Sequence, residues 1–144
     1  MQLQELTRED HRRFVQRTTR SEAVWGIRLS NGLAFAYSNE DPGDGADPVP
    51  VLLFWSDRAY AARAQDQSFP DGIVESIALF DFLYRWLPGM AGDGILVGTN
   101  WTGDLIGTEV DPGELQERLL EALDETRKSH YRARLHADRN AGQA

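Results

Sequence analysis

Apolar and polar positions recur along this chain with two different periods, and the switches between the periods mark out its elements. From Thr7 to Arg20 the apolar positions are few, Leu6, Phe14 and Val15 among them, so the segment is expected to be a largely solvated helix opened by Thr7 and Asp10 as a capping box. Ala23–Leu29 and Leu33–Tyr37 alternate like strands on either side of Ser30-Asn31-Gly32. A two-residue Asn-Gly turn would set Ile27 beside Ala36 and Trp25 beside Ser38, whereas a three-residue loop with Gly32 left-handed pairs Leu29 with Leu33, Ile27 with Phe35 and Trp25 with Tyr37. The second register gathers the large apolar side chains on one face and is the one expected, because a one-residue slip exchanges the faces. Val51–Trp55 is apolar without alternation and reads as a strand covered on both sides, near the middle of a sheet. Ser56 is placed to cap a short helix with Asp57 in its first turn and Tyr60, Ala61 and Ala64 on its apolar face. Ile73–Ala78 reads as a further strand.

Leu79–Leu87 fits both periods. Phe80, Leu83, Tyr84 and Leu87 satisfy the helical one, and a helix also sets Asp81 and Arg85 four apart as a pair on its polar edge, so a helix is expected. Pro88-Gly89 then breaks it, Gly92-Asp93-Gly94 turns the chain, and Ile95–Trp101 and Leu105–Val110 form a second hairpin across Thr102-Gly103-Asp104. Asp111-Pro112-Gly113-Glu114 is the clearest helix start, with Asp111 as N-cap, Pro112 in the first turn and Glu114 reaching back, followed by Leu115, Leu119, Leu120 and Leu123 along one side. Beyond Asp124 the apolar period fails. The expected architecture is α+β: one compact domain over residues 1–125, with a mixed, mainly antiparallel sheet of five to six strands packed by three to four helices, and a basic tail over 126–144 whose helical state the pattern leaves open.

Composition narrows the function. In 144 residues, 41% of them apolar, 4 Trp, 6 Phe and 4 Tyr can fill one core. There are no cysteines, so disulfides, thiolate metal sites and cysteine nucleophiles are excluded. With no long apolar run and no apolar centre in the first residues, the chain is expected to be soluble and cytoplasmic, without a membrane partner. The net charge of −8 divides as +2 over residues 1–37, −14 over 38–125 and +4 over 126–144. Such a middle would repel phosphates, which disfavours nucleic acid and suits a basic protein as partner. Arg13, Arg17 and Arg20 line one side of the first helix as a candidate docking strip for that middle. Asn39–Pro50 is an acidic loop whose Asp41, Asp44 and Asp47 do not make a calcium loop, since Leu52 stands where the closing Glu would be.

Chemistry has few candidates. His11, His130 and His136 lie in the terminal segments, no His-x-His or His-Glu-x-x-His occurs, and Ser56 lacks a nucleophile-elbow context. Gly92-x-Gly94 with Gly98 lacks the spacing and the strand-to-helix setting of a dinucleotide site. A non-enzymatic protein without metal or cofactor is therefore expected. Trp55, Trp86 and Trp101, with Asn100 and Arg85 close in sequence, are either core and turn residues or the lining of a ligand cleft.

Three separated pieces carry a resemblance: Phe54-Trp55-Ser56 at a strand-to-helix step, Trp86-Leu87-Pro88-Gly89, and Asp93-Gly94-x-Leu96-Val97-Gly98-x-Asn100-Trp101. Together they resemble the small bacterial family known as the domain of unknown function 2750, over roughly Ala23 to Leu123. The resemblance implies a compact α+β domain and supplies no activity and no catalytic residues. The order of elements is also similar to the amino-terminal domain of the type III secretion enhancer family, which favours a protein-interaction role. Two functions are expected from different classes. One is a non-catalytic regulatory or immunity-type module whose acidic surface, including Asp41, Asp44 and Asp47, meets a basic protein. The alternative is a small-ligand-binding or hydrolytic domain with a Trp-lined cleft near Asn100 and Arg85.

Overall fold

The computed structural model describes residues 3–38 and 43–142, with side-chain surroundings for 8–38 and 43–141. Five helices and seven short strands occupy the described residues. In chain order they are α1 (Leu3–Ser21), β1 (Ala23–Leu29), β2 (Gly32–Leu33), β3 (Phe35–Tyr37), β4 (Pro50–Phe54), α2 (Arg58–Ser68), β5 (Ile73–Ala78), α3 over residues 79–93, β6 (Leu96–Thr99), β7 (Thr108–Val110), α4 (Pro112–Ala122) and α5 (Glu125–Gly142). The fold is α+β in a single domain.

The strands form two sheets, β2-β1-β5 and β3-β4-β6-β7, in which β4 and β6 are parallel and every other pair is antiparallel. Trp25 and Trp55 exchange both backbone hydrogen bonds at 2.8 Å and join the sheets. Alternation along β1 and β4 sends side chains to two separate cores. Val24 and Phe54 meet Phe14, Phe82, Leu83, Leu87, Leu115 and Leu119 under α1, α3 and α4, while Ile27, Val51, Leu53 and Trp55 meet Ala61 and Ala64 under α2. The sheets are thus a middle layer, which is why Val51–Trp55 is covered on both faces. The basic segment after Asp124 is helical: Asp124 Oδ1 caps it by accepting from Arg127 N at 2.8 Å. Its Tyr131 is buried, with the ring edge-on to Phe80 at 5.5 Å and the hydroxyl donating to Glu22 Oε1 at 2.6 Å.

Several local expectations are corrected. α1 starts at Leu3, so Thr7 and Asp10 are interior and not a capping box; the Asp10 carboxylate accepts from Arg13 Nη1 at 3.0 Å. In the first hairpin the loop is Ser30-Asn31, pairing Leu29 with Gly32 and Arg28 with Leu33. Leu33 therefore falls on the Val24 face, where Gly26 leaves room: a Cβ at Gly26 would lie 3.5 Å from the Leu33 methyls. At Ala34 the chain changes sheets, donating to Ile27 O at 2.8 Å and accepting from Leu53 N at 3.2 Å. Phe35 and Tyr37 consequently pair with Leu52 and Pro50 and stay exposed, while Trp25 pairs with Ser76 and is only half-buried. The second hairpin is shorter than expected, with β6 and β7 joined by residues 100–107.

Pro88-Gly89 does not break α3. Phe82–Trp86 is π-helical, and the Leu87 N–H donates five residues back to Phe82 O. In that register Pro88, having no N–H, leaves Leu83 O without its helical donor. Gln116 Nε2 of α4 supplies one at 2.8 Å, and the helix continues to Asp93, where left-handed Gly94 (φ 70°) stops it.

Candidate ligand cleft

The parallel strands β4 and β6 end side by side, and the residues just past their carboxyl ends build the best-organised polar centre in the chain. Asn100 takes a left-handed backbone (φ 51°) and donates its N–H to Phe54 O at 2.9 Å. Its side chain is buried and fully used: Oδ1 accepts from Ser56 N at 2.8 Å, while Nδ2 donates to Ser56 Oγ at 3.0 Å and to Asp10 O of α1 at 3.2 Å. One amide therefore ties both strand ends to the first helix. Ser56 is not the cap of α2. Asp57 holds that position but makes no side-chain cap, because its carboxylate accepts from Ser56 Oγ at 2.7 Å and from Arg17 Nη1 at 2.6 Å.

Trp101 folds back over its own hairpin. Its Nε1 donates to Thr108 O at 2.8 Å and its carbonyl accepts from Trp55 Nε1 at 2.9 Å. This clasp explains Gly98 of the motif and Gly107 of the following loop: a Cβ at Gly98 would lie 2.7 Å from the indole Nε1, and one at Gly107 would lie 2.3 Å from Cδ1. The loop it holds contains a second left-handed non-glycine residue, Leu105 (φ 61°), and is pinned to α2 by Ser68 Oγ donating to Gly103 O at 2.5 Å.

Between α1, α2 and this loop lies a cleft of about 590 Å³ with Asn100 and Trp101 in its lining. Arg13 and Arg17 enter from α1, and Tyr60 and Arg63 from α2. Arg17 and Arg63 both stack on the Tyr60 ring, at 5.6 and 5.2 Å from its centroid, and Arg17 Nη1 also donates to the Tyr60 hydroxyl at 3.1 Å. Arg13 and Arg17 are neutralised by Asp10 and Asp57, whereas Arg63 has no carboxylate within ion-pair distance among the described residues. Chemically, Arg63 beside the Asp57-paired Arg17 offers guanidinium donors able to receive a carboxylate or phosphate, in a lining that also carries Asp10 and Asp104.

The sequence candidates divide. Trp55, Asn100 and Trp101 come together here, Asn100 and Trp101 in the lining of the cleft and Trp55 fully buried and hydrogen-bonded to the Trp101 carbonyl. Arg85 and Trp86 do not join them: Trp86 packs on Phe54 at 6.2 Å on the opposite face of the sheet, and the exposed Arg85 lies 3.5 Å from Asp81 beside it. Asp44 and Asp47 are exposed, and Asp41 lies outside the described residues. Of the arginine stripe of α1, Arg17 reaches the acidic middle at Asp57, whereas Arg13 pairs with Asp10 of its own helix. Tyr60, expected only on the apolar face of α2, and Arg63 join the site through packing, since nothing local links α2 to a loop some forty residues on. Among the described residues no group of three or more acidic or histidine side chains is set to hold a metal, and no helix is long and apolar enough to cross a membrane.

On the other side of α1, His11 is half-buried with Nδ1 2.8 Å from Thr99 Oγ1. Burial, and then the nearby Arg118 charge, hold its pKa below the ordinary histidine value, so the ring is neutral at pH 7.

A family model described as "Protein of unknown function (DUF2750)" matches residues 11–119, a range that takes in His11 as well as the polar centre. No curated protein and no solved structure matches the chain.

Proposed function

We propose, for a chain that belongs to the DUF2750 family of proteins of unknown function, that it is a small-ligand-binding domain taking an anionic molecule in the cleft of Arg17, Tyr60, Arg63 and Trp101. The observation that carries this reading is the pair of guanidinium groups stacked on Tyr60 beside the carboxyl ends of two parallel strands, the place where open α/β sheets hold their ligands. Preorganisation adds to it, since Asn100 and Trp101 fix the rim without help from a ligand. Calorimetric titration with inorganic phosphate and with citrate tests the proposal. A saturable heat is expected with at least one of them, weakened about tenfold or more in Arg63→Gln, as loss of a charge-assisted contact requires. No saturable heat from either anion, or identical affinity in the variant, overturns it.

A second reading has its own support: the acidic loop leaves Asp44 and Asp47 exposed, in a stretch carrying net −14. In that reading a basic protein docks there, steered by charge. Replacing Asp41, Asp44 and Asp47 together by Lys is then expected to slow association with a partner captured by pull-down, an association that added salt also slows. Rates insensitive to both salt and the replacement leave the loop with a solubility role alone.

A further inference from the structure

The cleft in front of His11 is separate from the one just described and differs from it in charge. It encloses about 650 Å³ between α1, α4 and β7. Arg8 and Arg12 stand one helical turn apart on α1, facing Glu114, Arg118 and Glu121 on α4. None of these five charged groups closes to ion-pair distance with an opposite charge among the described residues. This contrasts with Arg13, Arg17, Arg28 and Arg127, all of which are paired. Glu109 at the edge of the cleft is engaged with the Ser38 hydroxyl. Val15, Val110 and Ala122 add aliphatic surface to the lining. His11, anchored at Nδ1 by Thr99, presents the rest of a neutral ring.

A pocket that carries both signs unpaired, with aliphatic side chains in its lining, is complementary to a molecule that carries both signs and an aliphatic group. We propose that this cleft binds an aliphatic α-amino acid, the carboxylate received by the guanidinium groups of Arg8, Arg12 and Arg118 and the ammonium by Glu114 and Glu121. Glu114, Arg118 and Glu121 line this cleft and not the Arg63 cleft, so variants at these positions test this site independently of the proposed function.

The test uses the full chain and L-leucine as probe, following the His11 imidazole resonance by NMR. Leucine is expected to give a saturable shift. Isocaproate, which lacks the ammonium, and isoamylamine, which lacks the carboxylate, should each bind at least about tenfold more weakly, because a site built for a polar group rejects the analogue without it. Arg118→Gln and the double variant Glu114→Gln, Glu121→Gln alter exposed side chains, and unchanged melting will show that they fold. Each should weaken leucine binding about tenfold or more. Absence of a saturable response overturns the proposal. So does isocaproate or isoamylamine binding as tightly as leucine, which would make the cleft a simple anion or cation site, or unaltered leucine affinity in both variants.

Discussion

Replacing Asn100 by Ala attacks the centre that joins both strand ends to α1, and its cost can be built up from the contacts. The Ser56 N–H loses its acceptor in a site where Ser56 is only 4% exposed, an orphaned donor costing about 1–3 kcal/mol. Ser56 Oγ keeps Asp57 as a partner, and Asp10 O still accepts within its helix, so loss of the two Nδ2 bonds costs about 0.5–1 kcal/mol each. An alanine at φ 51° adds about 1 kcal/mol, because the left-handed region is tolerated by Asn and disfavoured for Ala. The expected destabilisation is about 3–6 kcal/mol, a large part of the stability of a domain this size. Urea titration followed by tryptophan fluorescence measures it, since Trp55 and Trp101 flank the site. Asn100→Gly removes the same hydrogen bonds but not the freedom to adopt φ 51°, and should recover about 1 kcal/mol. A loss below about 1 kcal/mol in the alanine variant, or a glycine variant no more stable than the alanine one, refutes the reasoning.

Gly107→Ala should destabilise by about 1–3 kcal/mol, since the new methyl meets the Trp101 ring; a melting temperature equal to the wild type would show that the indole moves aside freely. Asp111→Ala should lose about 1 kcal/mol, the worth of a cap accepting from Gly113 N at 3.0 Å and Glu114 N at 3.2 Å, and an unmoved urea midpoint would contradict it. The His11 shift predicts a pH dependence. With the folded pKa depressed, the unfolded chain binds the extra proton first, so stability is full above about pH 6.5 and falls as the pH drops through the folded value. His11→Gln should flatten that acid slope, as read from denaturation midpoints across the range; parallel slopes would show that His11 is not the group responsible.

What could be read in the sequence was what short spacings decide. Asp111-Pro112 predicts the start of α4 because a cap and its amides are three residues apart, and the Asp81–Arg85 pairing follows from one helical turn. The register of β1 and β2 was illegible because it depends on the space above Gly26, which only Phe54 and Leu33 together define. Of the candidate site, Trp55, Asn100 and Trp101 were legible as a motif at two strand ends. Arg85 and Trp86 looked adjacent in sequence, but the rest of α3 and the passage into β6 put them across the sheet. The arginines that give the Asn100 cleft its charge come from α1 and α2, elements that meet it only in three dimensions.

A π-helical turn holds one residue more than an α-turn, so the bulge at Phe82–Trp86 can be regarded as a tolerated insertion, with Gln116 as its compensation. Chains of the same family that lack one residue in this stretch are expected to run as plain α-helix there. The proline would then leave a different carbonyl without a donor, and the position of Gln116 would be free to become apolar. Length variation in α3 and polarity in α4 should therefore change together among such chains, and sequences in which they vary independently would contradict the link.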